Sequence, residues 1–171
     1  ELITRTFVVN VRNATLPPPP KNAPGGSAVA LNDTERDSLT WDHKLTLEFN
    51  GSAPRVRTVE ISRAEVPTVF LVGDSTVTDN AGWGLGFKQF LNPETTELIN
   101  TSRGGRSSMS FMREGRWTNA LALRGDYYLI QFGHNNEPGK PGRSTDMATF
   151  VANMKQYGDD ARAIGAKPIL V

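Results

Sequence analysis

The sequence predicts an α/β domain with a three-layer parallel sheet from residue 67 onward, preceded over residues 1–66 by part of an all-β sandwich. Three observations predict it. Apolar runs with little polar alternation stand at 68–72, 127–132 and 167–171, as strands covered on both faces require. Helix-length segments lie between the runs, which implies right-handed crossovers and a parallel sheet. Before residue 66 the pattern instead alternates between polar and apolar and is broken by proline and glycine, the grammar of antiparallel strands and turns.

Taken in order, Thr6-Phe7-Val8-Val9-Asn10-Val11 alternates and is β-branched, then meets Pro17-Pro18-Pro19-Pro20 and Pro24-Gly25-Gly26, which cannot continue a sheet. Lys44 to Phe49 alternates again, Asn50-Gly51 is a hairpin turn signal, and Val56 to Ile61 supplies a returning strand. Three strands cannot bury a two-sheet core, so this part reads as the end of a sandwich whose earlier strands are expected upstream. From Val66-Pro67 the grammar changes. Thr68 to Val72 ends in Gly73, shorter apolar stretches follow at Glu97 to Asn100 and Tyr127 to Phe132, and Lys167 to Val171 gives a fourth strand. Between the last two, Met147, Phe150, Val151, Met154, Tyr157, Ala161 and Ile164 recur at spacings of three and four, predicting a helix from about Ser144 to Ile164. Ser144 or Thr145 is expected to cap its start, and Gly165 with Pro168 its end.

Composition narrows the function. The 171 residues suit one domain or two smaller pieces, and 37% hydrophobic with 22% charged residues is a globular balance. Nineteen Lys and Arg against eighteen Asp and Glu leave a net charge of +1, too little to gather nucleic acid or an anionic membrane surface. Cysteine is absent, which removes disulfides, thiolate catalysis and cysteine metal sites. No apolar run reaches the roughly 18 residues of a membrane helix.

In an open α/β sheet, ligands bind beyond the carboxyl ends of the strands. Three of those loops are polar and glycine-rich: Gly73-Asp74-Ser75-Thr76, Asn100-Thr101-Ser102-Arg103-Gly104-Gly105-Arg106-Ser107, and Gly133-His134-Asn135-Asn136. A serine past a strand, a glycine with an unobstructed N–H and an asparagine amide, brought to one point, make a nucleophile within an oxyanion hole. The chemistry this suits is acyl transfer.

Those blocks, with Arg113-Glu114-Gly115-Arg116-Trp117, resemble the SGNH (GDSL-type) hydrolases, and within them the rhamnogalacturonan acetylesterases, over about residues 67–171. Thr40 to Gly51 resembles the end of the β-sandwich that precedes the catalytic domain in bacterial members. The resemblance implies a flavodoxin-like sheet, a secreted or periplasmic carbohydrate esterase acting on acetylated pectic polysaccharide, and no metal or organic cofactor. It makes Ser75 the nucleophile, and makes the oxyanion donors its own N–H, the Gly105 N–H and the Asn135 side-chain amide. The family's general base lies in an Asp-x-x-His block that the resemblance puts beyond Val171. One position departs from the pattern: Asn136 stands where the family has Asp, which changes the charge and hydrogen bonding open to that loop.

Each of these residues also has a plainer reading. Ser75 has the form of a turn or helix cap, Gly104-Gly105 beside Arg103 and Arg106 has the form of an anion nest, and His134 fits a loop-orienting role better than that of a base. Trp83 and Trp117 suit either a sugar-lined cleft or the core. Arg124-Gly125-Asp126 reads as a turn. The rivals to an esterase are a carbohydrate-binding protein with a degenerate site and a phosphate-binding module built on the Gly104-Gly105 loop.

Overall fold

The structure, a computed structural model, describes residues 2–9, 45, 47 and 49–171. Four strands form one parallel sheet: β1 (Thr68–Gly73), β2 (Glu97–Asn100), β3 (Tyr127–Gln131) and β4 (Lys167–Leu170), in the order β2-β1-β3-β4. Phe70 pairs with Ile99 on one side and Tyr128 on the other. All four strands lie where the apolar runs predict them, but β4, at the edge of the sheet, is not covered on both faces as its run implies: Ile169 and Leu170 are 46% and 54% exposed. The helices are α1 (Gly84–Phe87), α2 (Ser108–Arg113), α3 (Arg116–Ala122) and α4 (Met147–Ala163).

The chain steps from β1 to β2 in one direction, then to β3 and β4 in the other. Right-handed crossovers therefore put the β1–β2 connection with α1 on one face of the sheet and α2, α3 and α4 on the opposite face. The main core lies on the second face. Phe70 stacks on Tyr128 with ring centroids 4.9 Å apart, Trp117 meets Tyr128 edge-on at 5.4 Å and Tyr157 at 4.9 Å, and Phe132 stacks on Tyr157 at 5.2 Å. Burial and the neighbouring Asp160 push the Tyr157 hydroxyl well above the ordinary tyrosine pKa, and it stays a donor to the Ser108 carbonyl at 2.9 Å.

Helix α4 starts later than predicted, and its cap is Asp146, whose carboxylate accepts from the Thr149 N–H at 2.7 Å. Ser144 and Thr145 are occupied elsewhere. The Ser144 hydroxyl accepts from the Lys140 N–H at 2.8 Å, and Thr145 is bonded to Asn136 through both its N–H and its hydroxyl. Gly165, at φ +85°, ends the helix as predicted. Of the predicted apolar face, Met154, Tyr157 and Ala161 are buried and Phe150 and Ile164 pack against the core. Met147 and Val151 are instead 75% and 58% exposed, because the buried stripe follows the narrower 150-154-157-161-164 spacing.

The strand expected at 56–61 does not form. These residues carry no regular structure, and Val56, Val59 and Ile61 are exposed. Gly51 adopts φ +136° at a bend with no ladder beside it among the described residues. Thr6–Val9, Leu45, Leu47 and Phe49 likewise show no strand. Lys44, Thr46, Glu48, the proline tract and His43 lie outside the described residues.

Candidate active site

The strand order reverses beside β1, so the loops after β1, β2 and β3 open together on one edge of the sheet. The first is a tight turn closed by Val77 N–H donating to the Asp74 carbonyl at 3.1 Å. Glycine is required at its entry, because a Cβ on residue 73 would fall 2.5 Å from the Val77 side chain and 2.6 Å from the Gln131 carbonyl oxygen. Asp74 is 1% exposed and fully engaged: Oδ1 accepts from the Thr76 N–H and hydroxyl at 2.9 and 2.8 Å, and Oδ2 accepts from Asn135 Nδ2 at 3.2 Å. This holds Ser75 half-buried at the top of the turn, with its hydroxyl bonded to no described residue.

The second loop is pulled onto the first by a continuation of the sheet. Thr101 N–H donates to Leu71 O and Arg103 N–H to Gly73 O, each at 2.9 Å. Gly104 then lies against the nucleophile candidate, where a Cβ would sit 3.5 Å from that of Ser75. Gly105 turns with φ +78°, a conformation that favours glycine. Among the described residues, neither the Ser75 N–H nor the Gly105 N–H meets a protein acceptor. Beyond them Ser107 opens α2 with a reciprocal capping box to Ser110.

Asn135 and Asn136 occupy a short 3-10 turn, His134–Asn136, and both are buried. The Asn135 amide nitrogen donates to Asp74 Oδ2 and to the Arg106 carbonyl, both at 3.2 Å. Ser75, Gly105 and Asn135 are thus brought to one edge. The structure adds that both Asn135 amide hydrogens are already engaged, so an oxyanion has to displace one of those two bonds, which lie at the long end of the normal range.

Asn136 performs a different task. Its Oδ1 accepts from the Ser108 N–H at 3.1 Å, while Nδ2 donates to the Ser108 and Thr145 hydroxyls at 2.8 and 2.9 Å. Both hydroxyls can rotate to donate, so a carboxylate there would be as well satisfied as the amide. Asn136→Asp is therefore expected to keep activity and melting temperature close to wild type. Asn136→Ala leaves buried groups unpaired and should destabilise by about 1–3 kcal/mol. A cooperative thermal melt of both variants checks this; a collapse in the Asp variant would show that the amide is indispensable.

The remaining candidates separate clearly. His134 is exposed, and its carbonyl accepts from Lys140 Nζ. The same ammonium, through its hydrogen bond and charge, holds the Glu137 carboxyl below the ordinary range. Trp117 is core, 3% exposed, with its indole N–H on Asp160 at 2.9 Å, while Trp83 is half-buried and donates to Gln131 at 2.6 Å. Asn100, within a sequon, is locked by bonds to Val77 O and Asp79. Arg106 is committed to both oxygens of Glu114, at 3.1 and 3.0 Å, and to Gly104 O, which argues against a free phosphate nest. Among the described residues no cluster of three His, Asp or Glu side chains is disposed to hold a metal. Arg143 is the residue that sequence reasoning missed. It reaches Gly105 O and Asn135 Oδ1, both at 3.3 Å, from a Pro- and Gly-rich loop with no periodicity or motif to single it out.

No protein-family model matches the chain. Among curated proteins, a rhamnogalacturonan acetylesterase of Bacillus subtilis (strain 168) is 42% identical over 113 residues, covering 60% of this chain and 47% of that protein. A probable rhamnogalacturonan acetylesterase of the same organism is 40% identical over 116 residues, 60% of this chain and 52% of its own length. The chain is a relative of the rhamnogalacturonan acetylesterases. Its parallel α/β sheet is that of the SGNH hydrolases. The crystal structure of the Bacillus subtilis protein YxiM superposes with a TM-score of 0.56 at 28% identity, over 62% of this chain and 32% of that one. An acetyl xylan esterase structure, at 19% identity and TM-score 0.50 over 60% and 56% of the two chains, shares the fold. The chain spans about half the length of the curated acetylesterases that it matches.

Proposed function

We propose that this chain is the nucleophile-bearing part of a secreted bacterial carbohydrate esterase that removes acetyl groups from rhamnogalacturonan in pectin breakdown. The observation that carries this reading is the convergence of Ser75, the Gly104-Gly105 turn and Asn135 on one edge of the sheet. The Ser75 hydroxyl attacks the acetyl carbonyl carbon, and the negative charge that develops on oxygen is met by the Ser75 N–H, the Gly105 N–H and the Asn135 amide. Collapse of this intermediate breaks the ester bond, releases the sugar hydroxyl and leaves Ser75 acetylated; water then attacks the acetyl-enzyme and frees acetate. A serine hydroxyl needs a base to take its proton and pass it to the leaving sugar oxygen. We assign that base to the Asp-x-x-His block that the family resemblance implies, and to none of the described residues.

The test uses the full-length protein with acetylated rhamnogalacturonan and a fluorophosphonate probe. Wild type is expected to release acetate and to be labelled on Ser75, and Ser75→Ala to lose both. Polysaccharide binding without Ser75-dependent acetate release would overturn the esterase in favour of a carbohydrate-binding protein. Labelling abolished by His134→Ala would move the base onto His134.

A further inference from the structure

We propose that Arg106 and Arg143 are positioning residues of the acetyl-transfer site, each binding the oxygen end of an amide whose nitrogen end serves the oxyanion. The inference rests on the esterase reading above and deepens it. The peptide joining residues 104 and 105 has its oxygen on Gly104 and its N–H on Gly105. Arg106 Nη1 donates to that oxygen at 3.0 Å. The Asn135 side chain is the second amide, and Arg143 Nη1 donates to its Oδ1 at 3.3 Å. Both non-serine donors therefore carry a guanidinium on their carbonyl side.

Two effects follow from this geometry. Arginine only donates, so Arg143 selects the amide orientation in which Oδ1 faces the guanidinium and Nδ2 faces the acceptors beside Ser75. A cation on a carbonyl also draws electron density toward oxygen, which strengthens the N–H at the other end of the same amide as a donor. Arg143 further ties the two loops together, since the same nitrogen donates to Gly105 O at 3.3 Å. Arg106 is aimed by its bonds to Glu114, which also receives Arg116 at 2.6 Å. Among the described residues no carboxylate pairs with Arg143.

The experiment measures kcat and KM of the full-length enzyme on p-nitrophenyl acetate, a neutral ester with no carboxylate for an arginine to bind. Arg143→Gln keeps a donor but not the charge, and is expected to lower kcat about 10-fold with KM nearly unchanged, less than the loss of a whole oxyanion donor. Arg143→Lys should recover part of that loss, and Arg106→Lys, whose single ammonium cannot hold both Glu114 and Gly104 O, should lower kcat several-fold. Melting temperatures near wild type establish that each variant is folded; should Arg143→Gln fail to fold, Arg143→Met decides on the same readout. Unchanged kcat in the Arg143 and Arg106 variants overturns the proposal, as does a loss confined to KM on the acidic polysaccharide, which would make Arg143 a substrate contact. Wild type without Ser75-dependent hydrolysis overturns the esterase reading itself, a result distinct from an active wild type with indifferent arginine variants.

Discussion

Asn135→Ala in the full-length protein is expected to lower kcat on an acetyl ester by roughly 100- to 1000-fold while KM changes little, the usual loss for one oxyanion donor. The expectation rests on position: the amide is buried, bonded to the carboxylate that precedes Ser75, and carried to the nucleophile's edge of the sheet by β3. In the ground state its hydrogens are held by Asp74 and the Arg106 carbonyl at 3.2 Å. Those bonds are long, so exchanging one for a shorter bond to a charged oxygen favours the transition state over the bound ester. The truncation also strips a partner from a buried carboxylate, so the melting temperature should fall as well. Kinetics must therefore be read well below it. A kcat within threefold of wild type would reduce Asn135 to a loop residue and leave the Ser75 and Gly105 N–H groups as the whole oxyanion hole.

Trp117→Ala should destabilise the fold by about 3–5 kcal/mol, the cost of removing a large aromatic from a packed core, against a total of only about 5–15 kcal/mol for a typical domain. Trp117 is 3% exposed and is the ring on which the aromatic cluster turns, touching Tyr128 from the sheet and Tyr157 from α4. Its loss opens a cavity between strand and helix that neither tyrosine can fill without leaving its own hydroxyl partner, Ala120 O for Tyr128 and Ser108 O for Tyr157. Denaturant unfolding of the full-length protein checks this. A cost below about 1 kcal/mol would show that the cluster collapses around the gap. Trp117→Phe, which keeps a ring, should cost less.

The strands were legible in position because each is an apolar stretch bounded by turn residues, but not in burial: β1 is covered on both faces, whereas the edge strand β4 leaves Ile169 and Leu170 exposed. Helix α4 was legible in its body and not at its start. Asp146 caps it only because Ser144 and Thr145 are drawn into the loop that wraps Asn136, a competition invisible in a linear reading. Trp83 and Trp117 were equivalent in sequence and are separated by their elements: α3 turns Trp117 into the core, while Trp83 stands half-buried just before α1. Ser75, Gly105 and Asn135 were readable because each lies in the loop after a strand of one parallel sheet, so topology gathers those loops at one edge. Arg143 was not, because its reach to Asn135 depends on the path of a loop. The strand at 56–61 failed for the opposite reason: its alternation is genuine, but a pattern acts only when there is a face to bury.

Asn136 has a consequence for how the site breathes. Its side chain pins the N–H of Ser108, whose carbonyl in turn holds Tyr157 at the centre of the core. Hydrogen exchange at Ser108 therefore requires the core to come apart, where an ordinary loop amide exchanges through local fluctuation. The turn that carries Asn135 shares that fate, since the backbones of residues 136 and 145 are joined at 3.0 Å. The oxyanion loop is thus tied to the core by hydrogen bonds, and its amides are expected to exchange slowly beside those of ordinary surface loops.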